Sequence, residues 1–227
     1  MRKIFFEKLK EILKKDPNVF LLFGDLGVKF FADLKAVAPD RVLNVGVAEQ
    51  NMIGMAAGLA MAGKNVYCYS IIPFLTMRTF EQIRLDLCYA NLNVKLLGAG
   101  GGLVYGLEGV THYALEDIAI MRDLPNMTLA VPGDIKEAEA IAEASVSHQG
   151  PLYIRFGRDT DPIVHEKNFK FEFGKGIIMN EGQDICLLAT GSMLAVSKNI
   201  LPALKEKGFN PTLISLPTIK PLDEKLI

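Results

Sequence analysis

The chain has 227 residues, half of them hydrophobic, and a formal net charge of −1. This length predicts one large domain or two small ones, and the near-zero charge argues against nucleic acid or an anionic membrane as a partner. The three cysteines stand far apart in apolar runs, so they are expected to be reduced core residues and not a disulfide framework or a metal site.

Apolar periodicity divides the first two thirds of the chain into alternating helices and strands. The chain opens with a helix that Asp16-Pro17 ends, and its mixture of lysine and glutamate is unlike a signal peptide. Short apolar strands alternating with helices predict an α/β fold, a parallel sheet with helices on both faces. The predicted strands are 19–23, 42–45, 65–70, 94–97, 127–131 and 152–156. The predicted helices after the first are 30–37, the segment that begins near Glu49, 75–89, 118–121 and 134–147.

The periodicity disappears after residue 157, where charges and a proline appear, and this pattern is typical of a linker. A second α/β unit follows, and a lone unit of this kind cannot bury both faces of its sheet. We therefore expect the chain to be truncated within a further domain. The predicted organisation is a first domain at 1–158, a linker at 159–183 and the beginning of a second domain at 184–227.

The segment RVLNVGVAEQNMIGMAAGLA, residues 41–60, carries the strongest functional signal. A short strand turns at Gly46 and enters a helix with Glu49 in its first turn, where the helix dipole favours a carboxylate. Small and apolar neighbours predict that Glu49 is buried, and a buried carboxyl tends to hold its proton and act as a donor. The weakly polar run 52–63 is too short to span a bilayer. No membrane partner is expected, and the protein is expected in the cytoplasm.

The sequence NVGVAEQNMIGMAAGLAMAG resembles the pyrimidine-binding domain of the transketolase family of thiamin diphosphate enzymes. The resemblance extends from about Phe20 to Arg158 and more loosely to the C-terminus. In that family the glutamate of this motif contacts N1′ of the aminopyrimidine. The resemblance therefore implies that Glu49 is catalytic and shares a proton with thiamin diphosphate, while the cofactor supplies the carbanion chemistry.

Three further site residues follow predicted strands, and the carboxyl ends of parallel strands meet at one edge of a sheet. The resemblance implies that Phe74 stacks on the aminopyrimidine, although Leu75 could occupy the matching place. It implies that Asp25 approaches the cofactor or substrate, and that His112, in GLEGVTHYALED, is a catalytic proton shuttle. The simpler explanations are a core phenylalanine, a turn aspartate and a loop histidine.

The remaining candidates concern the substrate. Arg122, Arg155 and Arg158 match positions where relatives hold phosphate or substrate oxygens, a contact that suits arginine, although each could be a surface ion-pair member. Transketolases carry a further histidine where this chain has Gly100. The glycines at 100–102 predict a wider acceptor wall, and hence a bulkier or specialised sugar in place of ordinary pentose phosphates. Alternatively, another residue replaces the histidine.

The family's diphosphate and Mg²⁺ site, a Gly-Asp-Gly segment followed downstream by asparagine, has only a superficial counterpart. Gly24-Asp25-Leu26 carries a bulky leucine where close backbone approach is needed, and Asn51 lies in the Glu49 helix. The resemblance therefore implies that an N-terminal transketolase-like subunit supplies this half of the site and that Mg²⁺ is bound mainly by that partner chain. The expected assembly is a dimer or heterotetramer that transfers a two-carbon ketol unit between small sugars.

Other functions stay open at this point. The chain could be the β chain of a 2-oxo-acid dehydrogenase, or part of an enzyme like 1-deoxyxylulose-5-phosphate synthase. It could bind a dinucleotide through VKLLGAGGGL, where Leu103 stands at the third glycine position and weakens the motif. It could also be a non-catalytic partner domain, because fold alone does not fix function.

Overall fold

The computed structural model describes residues 1–157, 162–166 and 168–227, with side chains at all of these except 28–30. The strands are β1 Val19–Phe23, β2 Val42–Asn44, β3 Asn65–Ile71, β4 Val94–Ala99, β5 Thr128–Ala130, β6 Leu152–Phe156, β7 Ile177–Asn180, β8 Ile185–Ala189, β9 Pro211–Ser215 and β10 Thr218–Lys220. The helices are α1 Arg2–Lys15, α2 Val28–Val37, α3 Glu49–Met61, α4 Ile72–Thr76, α5 Phe80–Gln82, α6 Asp117–Asp123, α7 Ile135–Ser147 and α8 Met193–Glu206. Within the described ranges, no helix is long and apolar enough to cross a membrane.

A seven-stranded sheet organises the chain, in the order β10-β5-β6-β4-β3-β1-β2. Every pairing in it is parallel except that of β10, which runs antiparallel to β5. A smaller sheet, in the order β7-β9-β8, follows it in the chain. The predicted α/β fold class, with a mainly parallel sheet flanked by helices, is confirmed.

Two apolar clusters cover the two faces of the large sheet. On one face α1 buries Phe5, Leu9 and Leu13, whose spacing of four residues places them on one side of the helix. On the other face α3 contributes Met52 and Ile53. Full burial of a side chain of this size contributes about 1.5–3 kcal/mol, so the two clusters together fix the strand ends that carry the site.

The segment predicted as one helix at 75–89 is instead broken. α4 ends at Thr76, α5 begins at Phe80, and a π-helix over Ile83–Tyr89 continues it. The hydroxyls of Thr76 and Thr79 donate to the carbonyls of the residues four positions earlier, at 2.8 and 2.5 Å. Such side-chain bonds compete with the helix ladder and bend it, which accounts for the break between the two helices.

Two short strands escaped the sequence analysis. β7 lies inside the stretch predicted as a linker and pairs antiparallel with β9, and β10 crosses back to the large sheet. A strand of three or four residues is too short for its alternation of apolar and polar residues to be recognised in the sequence. The chain therefore passes between the two sheets twice, once between β6 and β7 and once between β9 and β10.

A buried polar cluster joins the first domain to the segment that follows it. Asp134 caps α7 by accepting from the backbone N–H of Glu137 at 2.9 Å, and its other oxygen accepts from the backbone N–H groups of Val164 and His165 at 2.8 and 2.9 Å. Glu137 in turn accepts from the hydroxyl of Ser215 on β9 at 2.5 Å. Because these groups are buried, each depends on the others for its hydrogen bonds.

Candidate active site

Five neighbouring strands end at one edge of the large sheet and build the candidate site. Phe23, Tyr69 and Asn44 lie in register across β1, β3 and β2, and Ala99 pairs with Phe156 across β4 and β6. The loops that follow these strands therefore meet at this edge. These loops carry most of the side chains singled out from the sequence. The side chains are far apart along the chain, and that separation does not measure their distance in the fold.

Glu49 is buried at the N-terminus of α3, with its side chain only 1 % exposed. The hydroxyl of Ser70, at the end of β3, donates to Oε1 at 2.9 Å, and Nη1 of Arg78 donates to Oε2 at 2.7 Å. A Cβ atom added at Gly24 would lie 3.2 Å from Oε1. A buried carboxylate without partners would be strongly destabilising, and here a hydroxyl and a cation compensate it.

Phe74 faces this carboxylate across the side chain of Arg78. The guanidinium carbon of Arg78 lies 4.3 Å from the centroid of the Phe74 ring, within the range of a cation–π contact. Leu75, the alternative from the sequence, is fully buried in the core. The structure therefore brings Phe74, and not Leu75, to the edge of the sheet.

His112 ends a short 3-10 turn and packs edge-on against two aromatic rings. Its ring centroid lies 5.1 Å from that of Phe74 and 5.8 Å from that of Tyr105. Its Nδ1 contacts the hydroxyl of Thr111 at 2.9 Å, which orients the ring. The half-buried imidazole therefore stands beside the same aromatic ring that Arg78 covers.

Asp25 follows β1 in a left-handed conformation, with φ of 46°. Nδ2 of Asn44 donates to its carboxylate at 2.8 Å, and the backbone N–H of Asp25 donates to Oδ1 of Asn44 at 3.2 Å. The same Oδ1 accepts from the N–H of Gly46 at 3.0 Å. Asn44 thereby ties the turn after β1 to the turn that leads into Glu49, and it holds a backbone conformation that costs energy for a residue with a side chain.

The loop after β4 corrects the expectation of an open acceptor wall. Gly100 has φ of 93°, and a Cβ atom there would overlap the ring of Tyr105. A Cβ atom at Gly101 would overlap the guanidinium of Arg155. The glycines therefore let two large side chains pack onto the backbone, and the space is filled. No helix follows this glycine run directly, which removes the structural context of a dinucleotide motif.

The arginines predicted to bind substrate fall in three different settings. Arg155 donates through Nε to Asp117 at 2.8 Å and through Nη2 to the carbonyl of Ala114 at 2.9 Å, so it fixes the loop after β4 at this edge. Arg122 is exposed near the opposite edge, where its carbonyl accepts from Lys220 at 2.7 Å. The structure does not bring it to Glu49. Arg158 lies outside the described residues.

Four side chains at this edge were not found from the sequence. Ser70 contacts Glu49, and Arg78 contacts both Glu49 and Phe74. Asn44 contacts Asp25, and Tyr105 packs against His112 and Gly100. Ser70 and Asn44 each stand near the carboxyl end of a strand, so their position was a usable signal. For Arg78 and Tyr105 the sequence offers no such signal, because their placement depends on a helix break and on a loop.

The rim of the site exposes apolar side chains in two loops. Where exposed apolar side chains form one patch, they mark an interaction site. The exposed fractions range from 61 to 105 %, for Val47, Leu103, Leu107, Val110 and Leu115. Among the residues that the structure describes, no group of three or more His, Cys, Asp or Glu side chains is arranged to hold a metal ion.

A mainly parallel sheet with a buried acid, an aromatic ring and a histidine at its carboxyl edge defines an α/β domain with a candidate ligand site at the strand ends. The family model described as transketolase, pyrimidine binding domain, matches residues 1–161, and that described as transketolase, C-terminal domain, matches residues 174–227. The chain belongs to the transketolase family.

Two similar proteins are named as a section or a subunit of a transketolase, and one similar solved structure is described as a split gene transketolase. The chain is 40 % identical to a putative transketolase C-terminal section of Methanocaldococcus jannaschii, over 100 % of this chain and 73 % of that protein. It is 36 % identical to a 6-deoxy-6-sulfo-D-fructose transketolase subunit of Clostridium sp., over 100 % of this chain and 71 % of the relative. A solved structure described as a split gene transketolase, inactive beta4 tetramer, has a TM-score of 0.90 and 34 % identity, covering 99 % of this chain and 73 % of that one.

Proposed function

We propose that this chain is the pyrimidine-binding subunit of a split, thiamin diphosphate-dependent transketolase that transfers a two-carbon ketol unit between sugars. The observation that carries the proposal is the buried carboxylate of Glu49 beside the ring of Phe74, with His112 in edge contact with the same ring. These three side chains come from separate segments of the chain and meet at the edge where α/β sheets bind ligands.

The residues present fit the aminopyrimidine half of the cofactor. A flat heteroaromatic ring needs an aromatic face and a hydrogen-bonding partner in a dry place, and Phe74 and Glu49 provide these. Gly24 keeps the backbone close to Oε1 of Glu49, where a Cβ atom would crowd the carboxylate at 3.2 Å. When bound, thiamin diphosphate supplies the nucleophilic carbon that accepts and releases the two-carbon unit.

Each side chain of the site has a role in this proposal. Glu49 holds a proton for N1′ of the aminopyrimidine, and the hydroxyl of Ser70 orients its carboxylate through Oε1. His112, whose Nδ1 contacts Thr111, presents Nε2 for proton transfer to substrate oxygens. Asp25, exposed after β1 and held by Asn44, approaches the cofactor or the sugar.

Substrate contacts are proposed for the loop after β4. Arg155 holds this loop through Ala114 and Asp117, and Tyr105 fills the wall at Gly100 where transketolases place a histidine. The proposal therefore gives Tyr105 the place of that histidine, with its phenol as a donor to sugar oxygens. The substrates named for the relatives, 6-deoxy-6-sulfo-D-fructose and apulose 4-phosphate, are specialised sugars.

The proposal assigns the diphosphate and Mg²⁺ contacts to a partner chain. Leu26 stands where the family's segment has a close-packing glycine, and Asn51 is exposed on α3. A relative is named as a C-terminal section, and others as subunits, which supports a separate N-terminal chain. The apolar rim around the site is the surface offered to that chain.

We further propose an assembly with at least two copies of each chain. The outer face of α3 carries Gly54 and Gly58, and a Cβ atom at either would meet no other atom within 4 Å. Such a smooth helix face allows another backbone to approach closely. The similar solved structure is described as a tetramer of β subunits and as inactive, which is in keeping with a chain that needs its partner.

Reconstitution tests the proposal. The chain is mixed with the N-terminal transketolase-like chain encoded beside it, and thiamin diphosphate binding and ketol transfer are measured for each chain and for the mixture. Binding and turnover are expected only for the mixture. Ketol transfer by this chain alone would refute the division of the site, and a mixture that does not bind the cofactor would refute the proposed function.

A further inference from the structure

Arg78 makes a pair of contacts that the proposed function does not use. Its Nη1 donates to Oε2 of Glu49 at 2.7 Å, and its guanidinium carbon lies 4.3 Å from the centroid of the Phe74 ring. One flat cation therefore covers the aromatic ring and pairs with the buried carboxylate at the same time. These are the two contacts that the proposed function gives to the aminopyrimidine.

We propose that Arg78 is a placeholder that holds the pyrimidine position in the isolated chain and leaves it when the cofactor binds. This inference rests on the proposed function and adds a regulatory step to it. A guanidinium is planar, carries N–H donors along its edge and stacks on aromatic rings, so it satisfies Phe74 and Glu49 as an aminopyrimidine would. The covered face of Phe74 cannot hold both groups.

Arg78 compensates the buried charge of Glu49, and its side chain is free to move into solvent. The side chain of Glu49 is 1 % exposed, so loss of its partner would leave a buried, uncompensated charge, whereas the side chain of Arg78 is 42 % exposed and reaches solvent. Arg78 stands in the break between α4 and α5, outside both helices. The side chain can therefore swing away without unwinding either helix.

A placeholder lowers the apparent affinity for the ligand that displaces it. Only the fraction of molecules in which Arg78 has left the ring can bind, and the dissociation constant rises in inverse proportion to that fraction. Removing the placeholder is therefore expected to tighten binding. A residue that instead helps to hold the cofactor would give the opposite sign when removed.

The test measures cofactor affinity by titration calorimetry on the complex with the partner chain, using thiamin diphosphate with excess Mg²⁺. Arg78→Gln is expected to bind about tenfold more tightly than the wild type, a difference of about 1.4 kcal/mol. Arg84→Gln, which removes an exposed arginine further along the same segment, serves as the matched control and is expected to leave the affinity unchanged.

Each outcome decides between explanations. An unchanged affinity in Arg78→Gln would overturn the placeholder, and weaker binding would make Arg78 a cofactor contact and overturn it too. Both results would leave the proposed function in place. If the wild-type complex does not bind thiamin diphosphate, the proposed function fails and the placeholder fails with it.

A second measurement does not depend on the cofactor. Urea unfolding of the isolated chain compares the wild type, Arg78→Gln, Glu49→Gln and the double variant. If the two side chains are paired, Arg78→Gln lowers the denaturation midpoint more in the wild-type background than in the Glu49→Gln background. Equal shifts in both backgrounds would mean that the pair does not form in solution, and the placeholder would be refuted.

Discussion

Lys95 is a lysine buried in the middle of the large sheet, and its titration gives a prediction about stability. It lies on β4 and is 0 % exposed. Its ammonium donates to the side-chain oxygen of Asn93 and, at 3.0 Å, to the carbonyl of His148. None of these partners carries a negative charge, and burial lowers the pKa of Lys95 from 10.5 to about 7.

The sign of the effect follows from where protons bind. Below about pH 7 both the folded and the unfolded chain carry the proton on Lys95, so the full cost of burying the charge is present. Between about pH 7 and 10.5 the unfolded chain still binds this proton while the folded chain has lost it, so stability rises with pH. Each pH unit in that window contributes at most about 1.4 kcal/mol.

Comparison with Lys95→Met isolates this contribution. Urea unfolding at pH 7 and pH 9, at constant ionic strength, should show the wild type gaining roughly 2 kcal/mol relative to the variant. Groups that Lys95 does not influence titrate alike in both proteins and cancel, and His148, whose pKa burial and the charge of Lys95 lower to about 4, is uncharged in the wild type at both pH values. Lys64→Met is the control, because Lys64 donates to the side chain of Asn18 at 2.9 Å near the surface, and its removal should leave the wild-type slope. Parallel curves for the wild type and Lys95→Met would show that Lys95 stays charged and would refute the reasoning.

Three further predictions concern the proposed catalytic acid, the assembly and the segment that Asp134 holds against the large sheet. Glu49→Gln should fold normally and, with the partner chain present, lose at least about two orders of magnitude in turnover, because glutamine cannot exchange a proton with N1′; near-wild-type rates would contradict the assigned role. Gly58→Leu should weaken association in sedimentation experiments, and unchanged assembly would place this face of α3 outside the contact. Asp134→Ala should lower the free energy of unfolding by about 3–5 kcal/mol in urea, because it leaves the buried N–H groups of Val164 and His165 without an acceptor. A loss below about 1 kcal/mol would mean that water or another oxygen replaces that carboxylate.

The pKa of Asp134 also indicates that this carboxylate stabilises the fold. Burial alone would raise the pKa of Asp134, but hydrogen bonds from the ring and backbone of His165 and from two other N–H groups hold it below its usual range. Since the folded value is the lower one, this carboxylate stabilises the protein at neutral pH, and the contribution is lost as the pH falls through the acid range.

Those parts of the fold that repeat an apolar pattern over five or more residues could be predicted from the sequence. β1 and β6 were predicted with their observed bounds, because each is a short, largely apolar run between turn residues. The short strands β7 and β10 could not be predicted in this way. Their pairing is set by the sheet that receives them, since three or four residues do not define a period.

The candidate site shows the same division between local and distant causes. Burial of Glu49 was predicted from its small neighbours, and the structure confirms it. The partners of Glu49 were not predicted, since Ser70 and Arg78 stand 21 and 29 residues away and reach the carboxylate only through the sheet. The open wall predicted at Gly100 was wrong for a similar reason, because Tyr105 folds back over it.

The helix break after α4 is a local feature that allows a contact between residues distant in the sequence. Phe74 lies in α4, and if that helix continued without a break through residue 78, Phe74 and Arg78 would lie four positions apart on one face and both would be fixed by the helix ladder. Back-bonding by Thr76 and Thr79 opens that ladder instead, and Arg78 gains the freedom to pair with a carboxylate on α3 while it still covers Phe74. The same two hydroxyls that interrupt the regular helix therefore let Arg78 pair with Glu49 while it covers Phe74, and under the placeholder proposal they let it leave this position when the cofactor binds.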